Sequence, residues 1–502
     1  MSRSIIRGGR LLDATTGAAT MVDILVEADS IREVGPPGLD RPLDAIEIDA
    51  RNRLLVPGLV NAHTHSPQNI TRSVGERFTL EIALLFNPAW RSRMSHEDRY
   101  VAALLGAAEM IRKGCTACYD LCFELPAPSA EGMSAVAQAY VDAGMRAVVA
   151  PMISDRTLFD AVPGLRDALP YDVQASQADT ADHEMDLSGL RDALDNWSFD
   201  HDKVRPAVAP TIPAHCSDRF MTEAASLARD YTVGLHTHLA ESKVQALAGI
   251  SNYGRTLTAH LDDLGVLGPN LTAAHGVWLD EADVRRLADS GASVAHCPGA
   301  NMRYGAGLAA VRAMMDAGLN VCLGTDSRAC SDNLNMFEAM RLASFVSRVQ
   351  GPDYASWLTT GDVLQMATVG GAQAMGFKGK IGTIAAGYKA DIVFLDAHNP
   401  NYVPLINPVI QLVNAEDGTG IESVMIGGRM VLQGGQLTTI DFQALIPKVE
   451  RIVERLRNAS GEALEQARRL EPMVGGFCSC FARKPYHVER FVGRPLLRSE
   501  EV

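Results

Sequence analysis

With 502 residues, 47% of them apolar and 21% charged, the chain has the composition of a globular protein with room for one large core and a smaller domain, which excludes general disorder. Its formal charge of −14 gives no electrostatic basis for sustained contact with nucleic-acid phosphates or an anionic membrane, and leaves small neutral or cationic substrates open. Gly, Pro or charge interrupts every apolar run before the roughly 18 residues of a spanning helix, so neither nucleic acid nor membrane is an expected partner.

The opening residues, Met1 to Arg10, are basic in places but lack the continuous apolar stretch of an export signal. Residues 1–56 alternate short runs such as Met21–Val26 and Ser30–Val34 with Gly, Asp and Pro, the texture of a small antiparallel sheet. The same texture returns over 381–440, in Ala390–Leu395 and Ser423–Val431, so both terminal regions are expected to build one small β-sandwich domain around an insert.

That insert, residues 57–380, alternates short apolar runs with longer amphipathic ones, the pattern of parallel strands joined by covering helices. Candidate strands end near His65, Leu121, Ile153, Ile212, His238, His275, His296 and Asp326, which makes eight, the number that closes a (β/α)8 barrel with its chemistry at the carboxyl ends of the strands. Between them, Asp98–Lys113 carries an inward stripe of Val101, Leu104, Leu105 and Ala108 before Gly114, and Asp280–Ser290 does the same with Val284 and Leu287 before Gly291. Ala168–Trp197 is more polar and reads as an excursion with a helix. Residues 441–502 begin with an amphipathic helix bearing Ile446, Val449, Ile452, Val453 and Leu456, with Pro447 tolerable near its first turn, and end from Gly475 in an arm, lid or tail with few periodic signals.

Nine cysteines cannot all pair within one chain, and Cys115, Cys118, Cys297 and Cys322 lie in apolar runs, so a reduced cytoplasmic setting is expected. Cys115-x-x-Cys118, with Cys122 nearby, has no matching second pair and reads as buried structural thiols.

The chemistry concentrates at the strand ends. His63-x-His65 follows Leu54–Val60, and a period of two sends both imidazoles to one side. His238, preferred over His236 because it lies nearer the strand end and Glu241, and Asp326, in Gly324-Thr325-Asp326-Ser327, complete three imidazoles and a carboxylate suited to a borderline divalent ion such as zinc. Glu241, three residues beyond His238, is placed to shuttle protons, and His275 to polarise a substrate or leaving group, with a direct metal contact left open. His296 is a weaker member of the strand-end network, and Ser327, Asp332 and Asn333 are expected to shape the local turn. Gln68, Arg72, Glu124, Arg156, His215, Asn301 and Arg303 are candidates for the pocket rim, of which Gln68, Arg72, His215, Asn301 and Arg303 are taken as substrate-binding.

Together Pro57–His65, His238-Leu239-Ala240-Glu241, Ala274-His275-Gly276, Gly324–Ser327 and Gly382–Val393 resemble the amidohydrolase superfamily, in particular its deaminase and chlorohydrolase-like aminohydrolases. The resemblance covers nearly the whole chain. It implies that His63, His65, His238 and Asp326 hold one divalent ion, zinc usually and iron sometimes, with Glu241, His275 and Asp326 serving catalysis, and that the chain forms a homodimer. Cys297–Met302 looks like the family's strand-seven segment, whose asparagine, here Asn301, organises the pocket mouth. No lysine closes the fourth strand, Val208–Ile212, so a mononuclear site is favoured. The implied reaction is hydrolytic deamination of an amino-substituted N-heterocycle, a purine, pterin, triazine or pyrimidine. Displacement of another ring substituent such as chloride or a thioether, ring-opening of a cyclic amide, and a non-catalytic metal-binding scaffold are the alternatives.

Overall fold

The computed structural model describes residues 2–13, 16–125, 127–170 and 187–493. The first five strands, β1 (Arg3–Leu12), β2 (Ala19–Glu27), β3 (Ser30–Gly35), β4 (Ile46–Asp49) and β5 (Arg53–Pro57), combine with four from the other end of the chain, β14 (Ile392–Asp396), β15 (Ile421–Ile426), β16 (Arg429–Gln433) and β17 (Gln436–Leu437). They form one nine-stranded sheet in the order β17-β16-β15-β14-β5-β1-β2-β3, with β4 beside β1. The seam between the two halves is antiparallel, Val56 facing Val393 and Leu55 facing Phe394. The sheet is mixed where an antiparallel one is expected, since β1 runs parallel to both β4 and β5. Ile6, Ile24, Leu55, Ile392 and Met425 fill its core.

The intervening chain forms β6 (Leu59–Thr64), β7 (Cys115–Phe123), β8 (Arg146–Ile153), β9 (Val204–Pro210), β10 (Gly234–Leu239), β11 (Leu271–His275), β12 (Ser293–His296) and β13 (Asn320–Leu323). All eight run parallel in sequence order. Closure between β13 and β6 is made just past the strand, where the Asp326 N–H donates to the His63 carbonyl at 2.9 Å. The result is a nearly closed (β/α)8-like barrel. Its strands are buried on both faces, which is why they read as unbroken apolar runs.

Helix His96–Arg112 starts on a Ser95–Asp98 capping box. It buries Val101, Ala102, Ala103, Ala107 and Ala108, while Leu104 and Leu105, expected to point inward, are only half-buried, because small side chains let the helix approach the barrel closely. Helix Glu281–Ser290 buries Val284 and Leu287 as its spacing predicts. The cysteines are unpaired, and all but Cys480 are buried. The sixteen-residue stretch 171–186, most of the expected excursion, lies outside the described residues, and a helix, Ser188–Asp195, follows it.

The carboxyl-terminal part differs most from expectation. Helix Phe442–Ala459 buries Leu445, Ile452 and Leu456 and keeps Pro447 just past its first turn. A further helix, Gly461–Ala482, runs straight through Gly475-Gly476-Phe477, where an arm or tail is expected. Leu464 and Ala467 pack on Ile82, Phe86 and Ala89 of helix Leu80–Arg91, and Leu470, Val474, Cys478 and Phe481 pack on Leu158, Phe159, Val244 and Leu247. Beyond it Arg490 ties the chain down by donating to the carbonyls of Val277 and Leu279. No helix among the described residues is long and apolar enough to cross a membrane.

Candidate metal centre and active-site cavity

His63 lies within β6 and His65 just after it, His238 is the penultimate residue of β10, His275 closes β11, and Asp326 follows β13. The backbone leaves three of these strands through left-handed conformations at non-glycine residues, Ala240 (φ 50°), His275 (φ 72°) and Asp326 (φ 58°). Each costs on the order of 1 kcal/mol, and such strain clusters where function fixes a side chain.

Donor atoms of His63, His238 and His275 lie within 4.8 Å of one another, as do those of His63, His65 and Asp326, and those of Glu241, His275 and Asp326. His65 Nε2 is 3.3 Å from Asp326 Oδ1 and 3.3 Å from His238 Nε2. The outer ring nitrogens explain the arrangement. His65 Nδ1 donates to the Leu121 carbonyl at 2.8 Å, His238 Nδ1 to the Thr211 carbonyl at 2.6 Å, and His275 Nδ1 to Asn301 Oδ1 at 2.9 Å. With each Nδ1 spent as a donor, each inward Nε2 presents a lone pair. Two lone pairs facing each other at 3.3 Å repel, and His63 Nε2, His275 Nε2 and Glu241 Oε2 are buried without a hydrogen-bond partner. A cation among the donors of His63, His65, His238 and Asp326 would relieve the facing lone pairs and the orphaned His63 Nε2, so these residues fit a divalent ion.

Electrostatics agree. Burial, reinforced by the neighbouring imidazoles, holds His63 and His238 well below the usual histidine range, hence neutral and able to ligate. Burial alone would raise Asp326, but the polar imidazole surroundings of His65, His275 and His238 outweigh it and hold the carboxyl below its usual range. Glu241 goes the other way. Burial, then the charges of Asp326 and Glu81, raise it well above the ordinary carboxyl range, so it is held protonated 3.5 Å from His275 Nε2.

The centre forms the floor of a cavity of about 520 Å³. Gln68, Arg156 and His215 line it, His215 pushed down to about 4 by burial. The other expected substrate-binding residues lie elsewhere. Asn301 is buried behind His275 as its hydrogen-bond partner, Arg72 is exposed and outside the lining, and Arg303 clamps a loop by donating to the carbonyls of Gly75 and Glu76 and pairing with Asp332. Glu124 binds Ser129 and His96 instead of facing the cavity. His296 is buried with neither ring nitrogen bonded, outside the three donor clusters.

Sequence reasoning misses three contributors. His236, set aside in favour of His238, lies beneath the centre with Nε2 3.2 Å from His63 Nδ1; a period of two puts 236 and 238 on one side, which could have found it. Arg91 reaches the cavity from the end of helix Leu80–Arg91, and Ala463, Gln466, Ala467 and Leu470 wall it from the carboxyl-terminal helix.

Comparison with known proteins follows the same lines. The model of the amidohydrolase family matches residues 54–431. The chain is 31% identical to a 5-methylthioadenosine/S-adenosylhomocysteine deaminase of Pyrococcus furiosus over 90% of this chain and 100% of that one, and 31% identical to a 5'-deoxyadenosine deaminase of Methanothermobacter thermautotrophicus over 90% and 98%. It superimposes on an adenosine deaminase from Xanthomonas campestris with bound zinc (TM-score 0.78, 27% identity, 91% and 99% covered). It also superimposes on a variant of an atrazine chlorohydrolase from Arthrobacter aurescens TC1 complexed with zinc and atraton (TM-score 0.76, 25% identity, 89% and 99% covered). Matching model, barrel and donor set agree on a centre for a single divalent ion held by histidines with or without a carboxylate. The chain belongs to the amidohydrolase family and is a metal-dependent hydrolase of the class that acts on carbon–nitrogen bonds.

Proposed function

We propose that the chain hydrolytically deaminates an amino-substituted N-heterocycle, a purine of the adenosine type first and pterins, triazines or pyrimidines after it, releasing ammonia or an alkylamine. The observation that carries this reading is Glu241, a buried carboxyl with one oxygen left without a partner, 3.5 Å from His275 on the floor of a cavity large enough for a ring. Its support from relatives is the full-length similarity to adenosine-type deaminases.

His63, His65, His238 and Asp326 would hold the ion, zinc first and iron second. A divalent ion bound there lowers the pKa of water enough to supply hydroxide near neutral pH. Asp326 accepts the proton of the attacking water. Glu241 gives its proton to the ring nitrogen adjacent to the attacked carbon, then takes the remaining proton of the added hydroxyl and passes it to the departing amine, and the proton held by Asp326 returns to Glu241 to reset the site. His275, its Nδ1 committed to Asn301, turns the lone pair of Nε2 inward, where it accepts a hydrogen bond from the attacking water and orients it. Water enters, the carbon–nitrogen bond breaks, and an oxo-heterocycle leaves with the amine. A cytoplasmic location and a homodimer belong to the same proposal, the first supported by the unpaired buried thiols.

The test is a panel of amino-purines, pterins, triazines and pyrimidines assayed with zinc-loaded enzyme for both amine and modified ring. Glu241→Gln should keep its zinc and lose about 10²- to 10⁴-fold in turnover. Chloride or thiol release without amine, or opening of a cyclic amide, would assign the centre to one of the other hydrolyses, and the similarity to the chlorohydrolase makes the first of these the rival reading.

A further inference from the structure

The chain beyond helix Gly461–Ala482 returns to the barrel as a strap. Residues 485–491 cross the loop that leaves β11, the strand closed by His275. That loop starts in a strained conformation, since His275 (φ 72°) and Gly276 (φ 58°) are both left-handed. A residue with a side chain stays in that region only where its surroundings hold it there.

The loop is held from two sides. On the inner side the Gly276 N–H donates to the Leu239 carbonyl at 3.1 Å, and the Trp278 N–H donates at 2.9 Å to the carbonyl of Ala240, the residue before Glu241. On the outer side Arg490 donates through Nε to the Val277 carbonyl at 2.9 Å and through a terminal nitrogen to the Leu279 carbonyl at 2.6 Å. Between them Tyr486 Oη lies 3.5 Å from the Trp278 carbonyl. Trp278 is fully buried, its ring 5.1 Å from that of Phe491 and 6.1 Å from that of Tyr486.

Arg490 also reaches the other support of His275. Its own carbonyl accepts from the Leu308 N–H at 2.9 Å, and Trp278 Nε1 donates to the Ala306 carbonyl at 2.7 Å. The Ala306 N–H donates in turn to the carbonyl of Asn301, whose side chain takes His275 Nδ1. One residue thus bonds both the loop that follows the imidazole and the loop that follows its hydrogen-bond partner. A guanidinium suits the task because its donors lie in a fixed plane and can span two carbonyls, whereas an ammonium is a rotating point charge.

We propose that Arg490 is a positioning residue for the reaction, tying the loops after His275 and Asn301 together so that His275 and Glu241 keep their working separation. This rests on the roles assigned above to those two side chains, which lie 3.5 Å apart. A displacement of about 1 Å between such groups is enough to cost on the order of 10²-fold in rate. The strap lies beyond the region matched to the family, so part of what aligns the site comes from outside that region. A strap that only added stability would lower Tm and leave the kcat of the folded enzyme alone.

The experiment compares full-length, zinc-loaded parent, Arg490→Ala and Arg490→Lys at a temperature where all are folded. Turnover of the panel above is followed as total modified ring, with the leaving group identified separately, and amide exchange is followed in peptides spanning 275–280. Arg490→Ala should lose about 10- to 100-fold in kcat while KM and zinc content stay within about twofold of the parent. Its 275–280 peptides should exchange at least about tenfold faster, with those of β7 and β8 unchanged. Arg490→Lys should fall between the two. Guanidinium ion at low millimolar concentration should restore part of the turnover of Arg490→Ala without raising that of the parent. If Arg490→Ala does not fold, Arg490→Gln, which keeps one donor group, replaces it. An unchanged kcat, a loss of kcat that merely follows loss of zinc, or exchange no faster than in the parent overturns the proposal. Ring modification without amine release would sink the deaminase reading and leave the kcat comparison standing. If the parent modifies no ring at all, that reading fails and the exchange arm, which needs no substrate, decides the strap alone.

Discussion

The sharpest structural prediction concerns the pair that rivets the terminal sheet to the barrel. Arg146, at the start of β8, donates through Nε to Asp391 Oδ2 at 2.8 Å and through a terminal nitrogen to Oδ1 at 3.0 Å, just before β14. The Gly427 N–H also donates to Asp391 Oδ1, at 2.7 Å, and the two side chains are 4% and 1% exposed. Each charge-assisted bond is worth roughly 1.5–3 kcal/mol, and removing one partner of a buried pair typically costs about 3–5 kcal/mol because the other charge is stranded. Asp391→Ala should therefore destabilise by about 4 kcal/mol, and Asp391→Asn, which keeps one acceptor, by about half of that. Arg146→Met should cost a comparable amount. The double variant Arg146→Met/Asp391→Leu should cost far less than the sum of the singles, since no charge is left unpaired. Urea unfolding of zinc-loaded protein, followed by tryptophan fluorescence and by zinc release, measures this. Singles costing under about 1 kcal/mol, or a double that equals their sum, would refute the reasoning.

Burial raises the Asp283 carboxyl to about 6 from an ordinary 3.8. Folding then takes up a proton, so this group's contribution is fully present below about pH 4 and is lost as pH rises through 6, up to about 3 kcal/mol; Asp283→Asn should flatten that part of the stability profile and gain on the parent above it, and parallel profiles would contradict this. His236→Phe removes the acceptor for His63 Nδ1 and should weaken zinc retention about 10- to 100-fold in a chelator competition, with no change expected if His236 is only packing. Leu470→Ala should cost about 2–4 kcal/mol and raise KM more than it lowers kcat, because the side chain belongs both to the packed face of its helix and to the cavity wall. Equal losses in kcat and KM-normalised rate would instead place it in the reaction itself.

Much of this site was legible because strands buried on both faces announce their ends. The expected ends at Ile153, His275 and His296 coincide with those of β8, β11 and β12, and the others fall within three residues. His63, His65, His238 and Asp326 come together because each sits where such a run stops. Arginine roles were not legible. Arg91, Arg156 and Arg303 look alike in sequence, and only the loop carbonyls of Gly75 and Glu76 decide that Arg303 is a clamp, while the absence of any such partner leaves Arg91 facing the cavity. The last helix was obscured by Pro472 and Gly475-Gly476, which depress helix propensity, although Leu464, Ala467, Leu470, Val474, Cys478 and Phe481 recur at spacings of three and four. Tertiary burial of that stripe outweighs the local cost.

Ala463 to Leu470 lie beyond the region matched to the family and are the last parts of the cavity to leave the ribosome. The chamber is thus closed by a segment that the barrel itself does not contain, so a chain cut between Leu437 and Ala463 would lack that wall whatever became of its histidines and Asp326.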